Sequence, residues 1–498
     1  MNGRPDPSQD AVFYFAKTVA RHSRTYGLFD FLGRASLFVL VPLYARVLAP
    51  ADFGALELFA VTQTVAVVVL VMGFNSGLIR YATTLEDPRE RILYFRTALT
   101  TVGLIAFTVT LLLFFAAPAA SRISFGDASW TGAWRLLFAI VCLDAVTHVF
   151  LALFRAEGRP LAYSWVNLVK LLTALVANVV LVGFLRRGVP GALTGTLLGS
   201  AVGAALALFL ALPQAGFRLS LPALRRMAAF GVPLAVSGLG FLLMSSADRY
   251  FLKAFASLGD LGVYSLGYKV GMVMSITVNA LVVAWPPILF RIAKEPNAPV
   301  IFGRVVTYYL LVTGVLAAAV GSLSHELVRV VGGAGYGDAG SIVPFILFAY
   351  LLSGLYHLLA VSAAVTDRTA WLPLIVGAGA LVSLCGNLVL VPKHGILGSA
   401  WTALLAYGTI ALLMGLVGRR FYAIPIEGRR LAVLGVVCGG VLAASGWIGH
   451  GGPGTLLAKI ALLAAIPVLL VALGFFTSEE RLRARSLLGR LAARSRGR

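Results

Sequence analysis

A chain of 498 residues that is 59% hydrophobic and only 12% charged is not an ordinary soluble domain, in which about a quarter of residues carry charge. Its mean hydropathy of +0.91 is that of a polytopic membrane protein. The net charge of +21 would suit nucleic acid, but most of the 41 Lys and Arg fall on alternate connecting segments, the positive-inside pattern that sets orientation. No nucleic-acid partner is therefore expected.

A bilayer-spanning helix needs about 20 mostly apolar residues, because its backbone must satisfy its own hydrogen bonds in lipid. The segment 1–25 precedes the first such window. It carries Asp6 and Asp10, and Lys17, Arg21 and Arg24 interrupt its second half. That pattern fits a cytoplasmic amphipathic segment better than a cleavable signal peptide. Fourteen windows follow, at 26–46, 55–74, 97–119, 133–154, 163–185, 190–212, 229–252, 261–290, 302–322, 339–365, 369–391, 395–418, 431–449 and 454–476. Breaks between them fall at Pro, Gly or charged patches such as Glu86-Asp87-Pro88-Arg89. Seven arginines from Arg481 to Arg498 make 477–498 a basic cytoplasmic tail suited to anionic headgroups. Cys142, Cys385 and Cys438 all fall inside spans and have neither disulfide-framework nor metal-ligand spacing.

The chain repeats itself. Arg159 is followed nineteen residues later by Asn178, then by Gly188-Val189-Pro190-Gly191-Ala192. Arg368 is followed nineteen residues later by Asn387, then by Gly395-Ile396-Leu397-Gly398-Ser399-Ala400. Internal duplication of long apolar segments is typical of transporters. It divides the chain into an N-lobe (26–212, helices one to six), a cytoplasmic linker (213–228) and a C-lobe (229–418, helices seven to twelve). Two extra helices (429–476) follow. The expected fold is all-α, with two six-helix bundles related by a pseudo-twofold axis plus two C-terminal helices. Both termini are expected on the cytoplasmic side of the inner membrane. No loop is long enough to fold as a catalytic domain, so neither an enzyme nor a catalytic residue is expected.

Ionisable side chains at membrane depth are costly and mark function by default. In the first span Asp30 and Arg34 stand four apart on one helical face, either as a self-neutralised pair or as a cavity cation with its tuning acid. Lys170 lies near the middle of the fifth span, and Lys269 follows Tyr264 and Tyr268 in the eighth. Asp144 and His148 form an i, i+4 pair that suits a proton relay or, equally, an interhelical hydrogen bond. Asp248 and Arg249 are adjacent, about 100° apart on a helix, so they are not expected to neutralise only each other. Arg135 sits near a helix end, where it can snorkel. Thr62, Gln63, Thr64, Asn75, Ser76, Asn167, Asn279 and His357 could line a passage or bond between helices. The expected cavity cations are Arg34, Lys170, Arg249 and Lys269, which would focus an anionic substrate. The charge-pair or coupling candidates are Asp30, Asp144, His148 and Asp248. No metal site, phosphate loop or nucleophile elbow is in supporting context.

Leu48-Ala49-Pro50-Ala51-Asp52-Phe53-Gly54, Ser246-Ala247-Asp248-Arg249-Tyr250-Phe251-Leu252, Gly262-Val263-Tyr264-Ser265 and the run from Asn387 to Ala400 resemble one family. It is the polysaccharide-flippase (Wzx-type) branch of the multidrug/oligosaccharidyl-lipid/polysaccharide exporter superfamily. The resemblance implies a V-shaped pair of bundles working by alternating access. Its cargo would be a lipid-diphosphate-linked oligosaccharide for O-antigen, capsule or exopolysaccharide synthesis. It also implies membrane lipids and a polysaccharide polymerase complex as candidate partners. No cofactor is expected, and coupling to H+ or Na+ is a candidate. The alternatives are a lipid II flippase or a cation-coupled drug antiporter of the same fold. An O-antigen-type polymerase or ligase would need a sizeable periplasmic loop that the sequence lacks.

Overall fold

Composition decides which elements form. Without water in the hydrocarbon core each backbone group must bond within its own segment, and the described residues are helical, with no strand among them. The computed structural model describes residues 39–477 and 480. After a helical stretch at 39–47 come α1 (Pro50–Val71), α2 (Phe74–Thr84), α3 (Pro88–Phe125), α4 (Thr131–Ala156) and α5 (Pro160–Asn178), which runs into a π-helical turn (Val179–Phe184). Then follow α6 (Gly188–Ala211), α7 (Leu221–Ser246), α8 (Asp248–Phe255), α9 (Leu258–Gly271), α10 (Val273–Ile292), α11 (Ala298–Ser322) and α12 (Ser324–Gly332). The last are α13 (Ala339–Leu359), α14 (Val361–Val365), α15 (Trp371–Arg419), α16 (Gly428–Ile448) and α17 (Pro453–Ala472).

Among the described residues, 11 helices are long and apolar enough to cross a membrane, or 12 if α9 and the start of α10, bent by 47°, count as one span. α15 carries two expected spans, 369–391 and 395–418, joined where Gly395 takes non-helical angles (φ 54°, ψ −129°). The described part therefore accommodates all the expected spans except the first, 26–46, which lies mainly outside it together with Asp30 and Arg34.

Two compact units meet between Leu242 and Leu243, inside α7. In the first unit the chain breaks after α1 at Met72 and Gly73, with φ of 44° and 73°. A Cβ on Gly73 would lie 2.0 Å from the carbonyl oxygen of Gly231. The glycine thus supplies both a left-handed turn and the closest possible backbone approach. α7 begins at Leu221, inside the segment expected as a linker (213–228), and its Met227 and Gly231 pack here within the first unit. Aromatic residues close one end of this core: Phe59 meets Trp134 edge-on at 5.2 Å, and Phe125 stacks on Trp130 at 4.8 Å.

The repeat found in the sequence is also a repeat of geometry. Asn178 and Asn387 each donate from Nδ2 to the carbonyl four residues back, Ala174 at 2.7 Å and Ser383 at 2.8 Å. Gly188 and Gly395 both take positive φ, 58° and 54°. Three residues on, a Cβ at Gly191 would lie 3.3 Å from the Leu181 carbonyl oxygen, and one at Gly398 would lie 2.2 Å from that of Leu390. Each copy is thus a tight helical hairpin closed on small residues, as membrane interfaces require when there is no hydrophobic drive between helices.

In the second unit α16 and α17 pack on α11 through Ala318, Leu434, Val437, Cys438, Val441, Ile466 and Leu470. All three cysteines are free. A charged cluster pins this pair to the unit. Lys459 is fully buried and donates to Glu326 Oε1 at 2.7 Å, and its Nζ lies 3.1 Å from His450 Nδ1. The His450 ring stacks on His325 at 3.8 Å. Burial, then the neighbouring His450 and Lys459, push the His325 imidazole below its usual pKa. Its folded value is depressed, so its contribution to stability is present above the ordinary histidine value and is lost as pH falls through the lowered one. Lys459→Met should leave Glu326 without its counter-charge. We expect a loss of about 2 to 3 kcal/mol, the lower end for a broken buried pair because Glu326 is partly exposed. The double variant with Glu326→Gln should recover most of it, as read by thermal unfolding in detergent.

Candidate functional site

A polar site forms within the first unit where α1, α2, α4 and α5 converge. Asp144, 4% exposed in mid-α4, accepts a hydrogen bond from Gln63 Nε2 at 2.8 Å and forms an ion pair with Lys170 of α5. Sequence spacing suggested that Asp144 would pair with His148. Instead its direct partners come from two other helices, because a carboxylate at this depth is compensated best by a full positive charge. Lys170 reaches it over small residues. A Cβ on Gly203 of α6 would lie 2.9 Å from Lys170 Cβ, and one on Gly199 would lie 2.6 Å from its carbonyl oxygen. The lysine stem therefore lies where α6 offers no side chain, and its ammonium turns to α4.

A cavity of about 100 Å³ opens beside this pair, lined by Asn75, Thr147, His148, Tyr163, Asn167 and Arg155 as well as by Asp144 and Lys170. The break at Met72–Gly73 delivers Asn75 to it. Arg155, in the last turn of α4, donates to the Tyr163 hydroxyl and lies 4.5 Å from that ring's centre. Asp144 and Arg155 are eleven residues apart, so the polar strip runs about 16 Å along α4. A space of this size holds waters or a small cation. It is well below the ~300–1,000 Å³ of sites that enclose a drug-sized ligand.

A second buried cluster lies within the second unit. Arg249 Nη1 donates to Asp248 Oδ1 at 2.6 Å and to Oδ2 at 2.7 Å, and also to the Ser245 carbonyl at 2.7 Å. The Tyr264 hydroxyl donates to Asp248 Oδ2 at 2.6 Å. The guanidinium lies 3.9 Å from the Tyr268 ring centre, and the Tyr268 and Tyr350 hydroxyls are 3.0 Å apart. The adjacent pair was expected to look elsewhere for neutralisation. Both lie in the first turn of α8, and the pair closes on itself because the long Arg249 side chain folds back to its neighbour's carboxylate and to the Ser245 carbonyl one turn earlier. Tyr264 and Tyr268 occupy this position because α9 packs tightly on α13, where Cβ atoms at Gly267 and Gly271 would fall within 3 Å of α13 atoms.

Of the other sequence candidates, Lys269 is partly buried in the last turn of α9, and Arg135 is exposed with its guanidinium 4.8 Å from the Phe114 ring centre. Thr62 and Thr64 bond back to their own helix at Leu58 and Ala60. Arg155, Tyr163 and Lys459 were not singled out in the sequence. Arg155 looks like a helix-end cation. Lys459 stands alone in an apolar run, a signal of the same kind that marked Lys170.

The family model described as "Polysaccharide biosynthesis protein" matches residues 25–293. No curated protein sequence matches the chain. Among solved structures it is similar to the lipid II flippase MurJ in an inward closed conformation, at 12% identity and a TM-score of 0.70, covering 90% of this chain and 98% of that one. It is also similar to an inward-facing multidrug resistance MATE family transporter of the MOP superfamily, at 14% identity and a TM-score of 0.65, covering 77% and 94%. A third is the Vibrio cholerae MATE transporter VcmN, at 17% identity and a TM-score of 0.54, covering 81% and 98%. With a family match spanning more than half its length, the chain belongs to the polysaccharide biosynthesis protein family, and its fold is similar to that of these transporters.

Proposed function

We propose that the protein is a flippase that carries a lipid-diphosphate-linked oligosaccharide across the cytoplasmic membrane by alternating access. The observation that carries this reading is the family match over residues 25–293, in a chain whose fold is that of exporters. The likeness to a lipid II flippase at 12% identity supports the fold alone, so the glycan is decided by experiment. Lipid-linked intermediates that accumulate in a deletion strain, identified by mass spectrometry, should carry a polysaccharide repeat unit. Accumulated lipid II would assign the protein to peptidoglycan instead.

The cavity beside Asp144 and Lys170 suits the coupling step. It is the size of a few waters, and its lining includes a carboxylate, an ammonium and an imidazole. Asp144 already holds Lys170 as its counter-cation and accepts from Gln63, which leaves it few free lone pairs for a sodium ion. A proton arriving on Asp144 would cancel the ion pair and free Lys170, whose side chain is 29% exposed. His148, one turn along α4 in the same cavity, has the right chemistry to pass that proton. Lys269 in α9 is assigned contact with the anionic headgroup, and Arg34, which lies outside the described residues, is a second candidate.

Lys170→Met alone should reduce membrane abundance, because it strands a buried carboxylate at a cost of about 3 kcal/mol or more. Asp144→Asn combined with Lys170→Met should restore abundance, while export stays independent of an imposed pH gradient in vesicles. Export that still follows the gradient in the double variant would remove the pair from coupling. Lys269→Ala should lower glycan export at normal abundance, and unchanged export would remove Lys269 from cargo handling.

A further inference from the structure

α13, α14 and α15 enclose an apolar trough of about 330 Å³ in the second unit. Gly408, Ala411, Gly415 and Gly418 form one wall along α15, and Leu352, Leu355 and Leu359 of α13 face them. From Gly408 to Gly418 the trough follows about 15 Å of helix. Leu412 and Leu416, 63% and 52% exposed, form an open lip, so the trough faces the surrounding medium.

One end of the trough differs chemically from the rest. Arg419 and Tyr422 line it there. Beside them the Arg368 guanidinium lies 4.6 Å from the Phe421 ring centre, and Trp371 lies 6.2 Å from the same ring. Arg368, Arg419 and Arg420 are all exposed. Basic side chains with aromatic rings at the end of a membrane-spanning helix mark the headgroup level, on the cytoplasmic side by the positive-inside rule. An apolar slot that ends in exposed arginines has the complementary form of a lipid with an anionic head.

We propose that this trough binds one acyl chain of an anionic glycerophospholipid, with the phosphate at Arg419 and with Arg368 and Arg420 on the rim. The volume is at the low end for a ligand site and suits a single chain laid along α15. The bilayer presents such lipid at high local concentration, so a modest affinity is enough to occupy the site. Occupancy would set the spacing of α13 and α15, the helices that contribute Tyr350 and Tyr407, whose rings stack at 6.4 Å beside the Arg249 cluster.

Native mass spectrometry of the full-length protein, titrated with phosphatidylglycerol or phosphatidylcholine of identical chains, tests the proposal. Phosphatidylglycerol should be retained preferentially. Arg419→Gln should reduce its retention about fivefold, the contribution of one basic side chain at an anionic surface, and leave phosphatidylcholine unchanged. Gly415→Leu should reduce retention of both lipids by filling the slot. The Cβ it adds would lie 3.6 Å from Leu359 Cδ1, an ordinary contact. Equal retention of the two lipids by the unaltered protein, or phosphatidylglycerol retention untouched by both substitutions, would overturn the proposal. So would displacement of phosphatidylglycerol by less than an equivalent of polyprenyl monophosphate, which would assign the trough to a carrier lipid.

Discussion

A charge buried at membrane depth has to be compensated where it lies, and the described portion of this protein is arranged around that constraint. Lys170 meets Asp144, Arg249 meets Asp248 and Lys459 meets Glu326. The first pair joins two consecutive helices and the last joins elements distant in sequence, so each fixes a packing register as well as cancelling a charge. An isolated ion would cost several kcal/mol in such surroundings. The pairs gain little net stability over apolar packing, but breaking one is expensive. That asymmetry makes the Asp144–Lys170 pair a plausible two-state element. A proton on the carboxylate removes half of the interaction without changing any other contact.

The three clusters differ in what they can do. Around Arg249 the neighbours are tyrosines and a backbone carbonyl within the second unit, a closed shell that suits rigidity. Around Lys459 the partners hold two appended helices in place. The Asp144–Lys170 pair adjoins a cavity lined with further polar and titratable side chains. The assignment of coupling to this pair rests on that difference. The positive excess expected from sequence is reduced accordingly, since Lys170 and Arg249 each carry a carboxylate of their own.

Much of this was legible in the sequence because bilayer physics leaves few choices. Hydropathy located the spans, and the Asn178 and Asn387 repeats foretold matched hairpins whose glycines take similar positive φ. Lys170 stood out as a lysine too deep to snorkel, and Asn75, Asn167 and Gln63 as polar residues that lack a reason to be in lipid. Partnership was not legible. The i, i+4 spacing of Asp144 and His148 is a local signal, whereas the true partners come from α1 and α5 through tertiary packing. Likewise, the pairing of Asp248 with Arg249 depends on the Arg249 side chain folding back along its own helix, which neither residue announces. Arg155 acquires its meaning from Tyr163 across the next turn of chain, and Lys459 from Glu326, far away in the chain.

The central claim is that Asp144 gives up Lys170 and takes a proton during transport. Infrared difference spectroscopy of the reconstituted protein on addition of its lipid-linked oligosaccharide reads this directly. The account predicts a protonated-carboxyl band that appears with cargo and is missing from Asp144→Asn. A cargo-induced spectrum with no such band, or with a band that persists in Asp144→Asn, would contradict it.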